Sequence, residues 1–239
     1  SVDDPYWISS YEAVYHQPHL FINWHPVLGN HDYRGNWQAQ IDYSVKSRRW
    51  EMPAQYYSKT LALDDGATAL LLFIDTSPLN PDYAREAKYQ EAYEQGASEQ
   101  LSWINTMLAQ DQYTWKVVIG HHPLYSSGKR YGKTNAIKDV LEPVFHKHNV
   151  NLYIAGHEHD LQHNQLAGDE LVHVVSGGGS EVRPVGNYEF TQFAKSTGGF
   201  VSVSMTAKSI FLNYIDHQGK KVYAHTINKP NTASSSSTL

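Results

Sequence analysis

Residues 154–160 have the sequence Ile-Ala-Gly-His-Glu-His-Asp, which continues the apolar stretch of residues 150–155. Successive side chains of an extended chain point to opposite sides, so His157 and His159 project to the same side. Gly156 lets the chain turn where the strand ends. The stretch therefore predicts two imidazoles presented together at the end of a buried strand, a suitable place for a metal ion. Taken alone, two unrelated surface histidines are an equally good interpretation.

The same arrangement occurs twice more. Residues 27–32 have the sequence Val-Leu-Gly-Asn-His-Asp, and residues 117–123 have the sequence Val-Val-Ile-Gly-His-His-Pro. Each time a glycine ends an apolar stretch, and Asn30 or His121 follows at once. Because ligands of α/β proteins bind beyond the carboxyl ends of the strands, we expect the three chain segments to meet at one site. Each motif by itself is ordinary loop chemistry, so the repetition is what indicates a site.

Composition excludes several classes of protein. The 239 residues are 41% hydrophobic, which suits one globular domain. There is no run of eighteen apolar residues to span a membrane, and a net charge of −5 without a long basic block gives no indication of a nucleic-acid partner. The sequence has no cysteine and 14 histidines, so a metal site must use His, Asn, Asp and Glu rather than thiolates.

Alternating apolar and helical patterns predict an α/β fold with helices outside the sheets. We expect helices over residues 5–15, 37–43, 83–110 and 135–148. We expect strands over residues 20–28, 56–63, 68–74, 115–119, 150–155 and 171–175, with two or three antiparallel strands within residues 200–227. The Asp-Asp-Gly sequence of residues 64–66 predicts a hairpin between two of these strands.

Together, the three motifs at residues 29–32, 120–123 and 156–159 resemble the three C-terminal signature blocks of the calcineurin-like metallophosphoesterases. Longer stretches, such as residues 27–36 and 156–162, resemble the purple acid phosphatases, in particular the small tartrate-resistant branch. The resemblance implies a four-layer αββα sandwich with mixed sheets. It also implies one metallophosphoesterase domain at residues 1–229, which we expect to precede a flexible Ser/Thr-rich tail at residues 230–239.

The resemblance also implies a function, the hydrolysis of phosphate monoesters by hydroxide activated at a binuclear metal centre of Fe(III) and a divalent Fe, Zn or Mn ion. Asn30, His121 and His157 would bind the divalent ion, and His159 the ferric ion. His31 would be catalytic, contacting the phosphate and protonating the leaving group, and Asn30 would also contact substrate. The expected partner is a small phosphorylated substrate, with no nucleic acid and no membrane, and secretion or a periplasmic location is typical of the family.

The sequence departs from the family pattern at its N-terminus. The family has two further blocks that supply an aspartate and then a metal-bridging aspartate with a tyrosine, and this sequence has neither. We therefore expect the first two strands of one sheet to be absent, as in an N-terminally incomplete fragment of a longer protein. Asp3, Asp4 and Tyr6 correspond to the start of the following helix, where Asp4 is expected to act as an N-cap.

Some roles stay open from the sequence. His122 stands where the related branch often has an aromatic residue, and it either contacts phosphate as a substrate-binding residue or lines the pocket. Lys129 or Arg130 either supplies positive charge to phosphate or belongs to a solvated loop. Asp75 is expected to give structural support.

Asp32 is expected to hydrogen-bond His31 and fix its tautomer. Among the remaining histidines, His146 has no partner motif and is expected at the surface or in a turn, and His163 and His173 are near the site in sequence only.

Two alternative functions also remain, a phosphodiesterase of the same superfamily and a non-catalytic, metal-poor binding scaffold. A serine hydrolase is disfavoured because the sequence has no Gly-x-Ser-x-Gly motif.

Overall fold

The computed structural model of the protein describes residues 1–229, which form ten strands and four α-helices. The strands are β1 (Tyr57–Ala62), β2 (Thr68–Phe73), β3 (Trp115–Ile119), β4 (Leu152–Ala155), β5 (Leu161–Asn164), β6 (Val172–Ser176), β7 (Thr191–Lys195), β8 (Gly199–Met205), β9 (Ser209–Asp216) and β10 (Lys221–Asn228). The helices are α1 (Gln38–Asp42), α2 (Gln90–Glu94), α3 (Ser98–Leu108) and α4 (Asn135–Lys147). The tail predicted at residues 230–239 lies outside the described residues.

The strands form two sheets. The larger has the strand order β1-β2-β3-β4-β6-β5-β7, and the smaller has the order β10-β9-β8. In the larger sheet β2, β3, β4 and β6 are parallel, whereas β1 is antiparallel to β2 and β5 is antiparallel to both β6 and β7. The smaller sheet is antiparallel throughout. The predicted α/β fold is confirmed, and the larger of its two sheets is mixed.

The larger sheet is covered on both faces, which explains why its central strands are apolar almost throughout. On one face Leu72 packs with Ile104 of α3 and Phe145 of α4. On the other face Leu152 packs with Leu212 of the smaller sheet. Residues 1–229 thus form a helical layer, the larger sheet and the smaller sheet, in that order.

The single helix predicted over residues 83–110 is wrong. The chain forms short 3₁₀ turns at Pro81–Arg85 and Ala87–Tyr89, followed by α2 and α3 as separate helices. Gly96 lies between these helices with φ of 69°. A glycine in this left-handed conformation ends a helix. The helical periodicity of the sequence therefore runs across a position at which the backbone helix is interrupted.

The strand predicted over residues 20–28 is also wrong. This segment makes only one isolated bridge, between Trp24 and Trp50. Pro26, within this segment, lacks the backbone N–H that a strand ladder needs. Conversely, the sequence does not predict β5 or β7, because the Leu-Gln-His-Asn sequence of β5 is fully buried and shows no alternation of apolar and polar residues.

The hairpin predicted around residues 64–66 is confirmed, since β1 and β2 pair in antiparallel register and Gly66 has φ of 84°. Helix α4 is continuous through Pro143.

Within residues 1–229, no helix combines the length and the apolar character needed to cross a membrane.

Candidate metal centre

Three side chains that follow strand ends or an apolar segment converge above the larger sheet. His121 follows β3 and His157 follows β4, and these two strands are parallel neighbours. The backbone N–H of Gly156 donates to the carbonyl of His121 at 3.0 Å, which holds the two loops side by side. His121 Nε2 lies 3.0 Å from His157 Nδ1 and 3.0 Å from Asn30 Oδ1. The donor atoms of Asn30 and His157 therefore both lie beside His121 Nε2.

The backbone and a tyrosine fix the orientation of these donors. His157 has φ of 64°, a left-handed conformation that is uncommon outside glycine and that the surrounding structure must impose. The side-chain amide of Asn30 donates to the hydroxyl of Tyr89 at 2.8 Å, which turns the amide oxygen toward the histidines. Tyr89 has no motif in the sequence that would have predicted this contact.

The electrostatics of the cluster suit a cation. Burial, assisted by the nearby positive charges of His31 and Arg130, lowers the pKa of His121 to about 4. Burial and the neighbouring His121 also hold the pKa of His157 well below its usual range. Both imidazoles are therefore neutral near pH 7 and have a lone pair available. Donors around a tetrahedral zinc ion are roughly 3.3 Å apart, so the two 3.0 Å separations from His121 Nε2 are close to those of a divalent-ion site.

His159 lies at the same cleft but outside this tight cluster. Its Nδ1 is 2.8 Å from the carbonyl oxygen of Glu181, and its own carbonyl accepts from the N–H of Arg183 at 3.0 Å. Metal-binding histidines are commonly held in this way, with one ring nitrogen on a carbonyl and the other left for the ion. His159 thus fits as a ligand of a second ion.

The cleft has a volume of about 440 Å³ and is lined by all five side chains of the predicted metal and catalytic set, which are Asn30, His31, His121, His157 and His159. Arg130 and Arg183 also line it, whereas none of its lining residues within the described part of the chain carries a carboxylate. The cleft therefore combines neutral metal donors with two fixed positive charges. The described residues supply three donors for one ion and a single histidine for another.

His31 lines the cleft with an exposed side chain, but its predicted partner lies elsewhere. Asp32 Oδ2 accepts from the N–H of Gly29 at 2.8 Å, and Asp32 Oδ1 accepts from the amide of Gln40 at 2.9 Å. The predicted hydrogen bond between Asp32 and His31 is therefore wrong. Asp32 instead closes the turn that contains Asn30, because its side chain bonds the backbone at the start of that turn.

Comparison with known proteins agrees with this geometry. Residues 3–161 match the model of the calcineurin-like phosphoesterase family. The chain is 31% identical over 235 residues to purple acid phosphatase 4 of Arabidopsis thaliana, covering 93% of this chain and 68% of that protein. It is 32% identical over 231 residues to tartrate-resistant acid phosphatase type 5 of Sus scrofa, covering 90% of this chain and 67% of that protein.

The chain belongs to the purple acid phosphatases, within the calcineurin-like phosphoesterases. Membership implies phosphoesterase chemistry at a binuclear metal centre. A solved structure described as "GAP50 the anchor in the inner membrane complex of Plasmodium" has the same fold, with a TM-score of 0.80 at 24% identity over 96% of this chain and 74% of that chain.

His122 differs from the other residues that the family motifs single out. Its side chain is fully buried, with Nδ1 2.7 Å from Thr76 Oγ1 and Nε2 2.7 Å from the hydroxyl of Tyr83. Both ring nitrogens are therefore occupied beneath the cleft, and neither is free for phosphate. The contact with substrate that was predicted for His122 has no support in this geometry, and the side chain packs below the metal donors instead.

The sequence predicts roles for two acidic residues. The side chain of Asp4 accepts from the N–H of Tyr6 at 2.9 Å in the turn before the helical segment Ile8–Glu12, whose N-cap is Trp7 and has no side-chain cap, so Asp4 supports the preceding turn. Asp75 follows β2 and is fully buried, where it accepts hydrogen bonds from the hydroxyl of Tyr33, from Gln55 at 3.0 Å and from the N–H of Ser77 at 2.9 Å. Asp75 thus ties the loop that follows Asn30 to the end of the sheet.

We expect Asp75→Asn to remove a pH-dependent loss of stability. Burial raises the pKa of Asp75 from 3.8 to about 6, so the folded chain binds more protons than the unfolded chain between these pH values. The stabilising contribution of protonated Asp75 to the free energy of unfolding is therefore fully present below pH 4. It is lost as the pH rises through 6, by an amount on the order of 3 kcal/mol. Urea unfolding of the wild type and the variant at pH 4 and pH 7 measures the difference, with exposed Asp111→Asn as control. An unchanged pH dependence in Asp75→Asn would show that Asp75 is ionised without penalty.

Gly29 is required by a close approach to the metal donors. A Cβ at this position would lie 2.9 Å from two ring atoms of His121, which is closer than real contacts allow. We expect Gly29→Ala to tilt the imidazole and weaken metal binding by about tenfold or more. Metal titration of the chelator-treated protein measures this. Gly35→Ala is the matched control, since nothing lies within 4 Å of its added methyl group, and equal affinities in the two variants would contradict the role of the contact.

Proposed function

We propose that this chain hydrolyses phosphate monoesters as a metal-dependent acid phosphatase. The observation that supports the proposal most strongly is the convergence of Asn30 Oδ1, His121 Nε2 and His157 Nδ1, with neighbouring donors 3.0 Å apart. These atoms lie in a cleft that Arg130 and Arg183 also line. Neutral donors for a metal ion beside two guanidinium groups make a site that favours a tetrahedral, negatively charged phosphoryl group.

The proposed roles follow from the donor types. Asn30, His121 and His157 hold a divalent Fe, Zn or Mn ion, and His159 contributes to a neighbouring Fe(III) site. Metal ions bound here would supply Lewis-acid activation of the phosphoryl group and of water. The arginines orient the phosphate oxygens, and the exposed side chain of His31 donates a proton to the leaving oxygen. Substrates are small phosphorylated molecules, and a secreted location, typical of the family, belongs to the same proposal.

A comparison of two chromogenic substrates tests this proposal. The metal-loaded chain is expected to hydrolyse p-nitrophenyl phosphate faster than bis-p-nitrophenyl phosphate, and to lose that activity after treatment with a chelator. Faster turnover of the diester would identify the chain as a phosphodiesterase of the same superfamily. An absence of turnover in a chain that contains metal would overturn the enzymatic proposal.

One observation favours a non-catalytic binding scaffold as the second candidate. The described residues that line the cleft include no carboxylate to join His159 as a ligand of a ferric ion. The Plasmodium structure with the same fold is described as an anchor, which is a binding role. Metal analysis separates the candidates, because two metal ions bound in the cleft with turnover support the enzyme and a single ion bound there without turnover supports the scaffold.

A further inference from the structure

A second group of side chains lies between α4 and the larger sheet, on a surface other than the cleft. It comprises Glu142 and His146 on α4, Asp169 in the turn before β6, and His173 on β6. One ligand atom each from Glu142, Asp169 and His173 lies within 4.8 Å of the others. His146 Nε2 is 3.6 Å from Asp169 Oδ2 and 4.0 Å from Glu142 Oε1. Two imidazoles and two carboxylates therefore meet at one place.

His173 is the unusual member of this group. Its side chain is 2% exposed, and among the described residues neither ring nitrogen has a hydrogen-bond partner. Its neighbours on β6, Val172 and Val174, face the smaller sheet, so the alternation of the strand directs His173 toward α4. Buried polar atoms are normally satisfied, because an unpaired one has lost its water without replacement. A cation among these side chains would satisfy a ring nitrogen of His173.

The two carboxylates lack an alternative positive partner. Within residues 1–229 neither Glu142 nor Asp169 forms an ion pair with lysine or arginine, and His146 is their only basic neighbour within 4.0 Å. The hydroxyl of Tyr125 donates to Glu142 Oε1 at 2.7 Å, and the N–H of Leu171 donates to Asp169 Oδ1 at 2.9 Å. Each carboxylate is thus oriented through one oxygen, which is how metal-binding carboxylates are commonly held.

We propose that Glu142, His146, Asp169 and His173 bind one Zn²⁺ ion that links α4 to β6. Zinc is the cation that this set fits, because imidazoles and carboxylates together suit Zn²⁺, whereas Ca²⁺ and Mg²⁺ prefer oxygen ligands alone. Donors around tetrahedral zinc are roughly 3.3 Å apart. The side chain of His146 is 47% exposed, so it is free to rotate inward and complete the shell.

This zinc site is independent of the proposed phosphatase activity. His173 lies three residues from Ser176, which lines the cleft, and that separation is roughly 10 Å along a strand. His173 also faces the helical layer, whereas the cleft lies beyond the carboxyl ends of the strands. The zinc ion therefore stabilises the packing of α4 on the sheet and takes no part in hydrolysis.

Zinc content and thermal stability test the proposal on the full chain. After chelator treatment and dialysis against ZnCl₂, we expect Asp169→Asn and His146→Ala each to contain one zinc ion fewer than the wild type. His19→Ala is the control, since it removes an exposed histidine outside both sites. Zinc that binds only the folded state raises the Tm. We therefore expect added zinc to raise the Tm of the wild type and of His19→Ala by more than it raises the Tm of Asp169→Asn.

The side chain of His146 is 47% exposed and Asp169→Asn keeps the size and shape of the side chain, so loss of the fold does not confuse the result. Equal zinc content in Asp169→Asn, His146→Ala and His19→Ala would overturn the proposal. His173→Gln gives a second measurement, because it replaces the buried imidazole by a neutral amide, a much weaker zinc ligand, while keeping the position polar. Retention of the same zinc stoichiometry and Tm response in His173→Gln as in His19→Ala would equally overturn it. Neither result depends on turnover of a phosphate ester.

Discussion

Replacement of His157 by alanine is expected to remove one metal ion per chain and to lower phosphate-ester hydrolysis by roughly a thousandfold. Residues that only orient a metal ligand typically change affinity by about 10 to 100-fold, so loss of a ligand itself has the larger effect. His157 Nδ1 is 3.0 Å from His121 Nε2, and without it the three-donor arrangement is reduced to two. Metal analysis together with the rate of p-nitrophenyl phosphate hydrolysis measures both consequences.

The backbone at His157 needs its own control. Since φ is 64° at this position, alanine retains a strained conformation that glycine adopts without strain. We expect His157→Gly to lose metal and activity as His157→Ala does. In the absence of metal, we expect His157→Gly to unfold at a temperature equal to or higher than that of His157→Ala. His163→Ala removes a buried histidine whose ring contacts Tyr223 instead of the cleft, and it should retain the metal. Full metal content in His157→Gly would rule out His157 as a ligand.

Replacement of His31 by alanine is expected to leave the metal content unchanged and to lower turnover by roughly 10² to 10⁴-fold, the usual contribution of a positioned proton donor. The reason is geometric, since His31 lines the cleft but is outside the group of donors that surround His121 Nε2. Steady-state kinetics measures kcat and KM separately. A loss confined to kcat indicates an interaction made in the transition state.

The leaving group provides the matched control for His31. A phosphate ester of p-nitrophenol has a leaving group that needs little protonation, whereas an alkyl phosphate ester needs a proton donor. We therefore expect His31→Ala to impair hydrolysis of an alkyl ester more than that of p-nitrophenyl phosphate. Equal impairment of both substrates would assign His31 to phosphate binding, and full activity of His31→Ala on both would remove it from the site.

The strand-end motifs and the core of the fold were accessible from the sequence because their signals are local. A glycine after an apolar stretch marks the end of a strand, and the carboxyl ends of parallel strands share one edge of a sheet. His121 and His157 could therefore be placed together before their contacts were known. Local patterns do not predict the backbone conformation of single residues. Gly96 is an example, because its left-handed conformation divides one predicted helix into two.

The contacts that give the site its character come from distant parts of the chain. Arg183 and Arg130 line the same cleft although more than fifty residues separate them in the sequence. Tyr89 orients Asn30, which lies 59 positions earlier. His122 is held in the core by partners that lie 46 and 39 positions before it. No local pattern encodes these pairs, because each depends on how separate loops pack.

Strand periodicity and glycine turns are properties of short segments, so the residue pattern is enough to predict that imidazole and amide donors follow strand ends. Tertiary packing determines which of those donors face one another, which are buried beneath the cleft, and which histidines without a motif gather with carboxylates. His173 shows the difference most clearly, because its lack of a hydrogen-bond partner and its closeness to Glu142 and Asp169 exist only once α4 packs on β6.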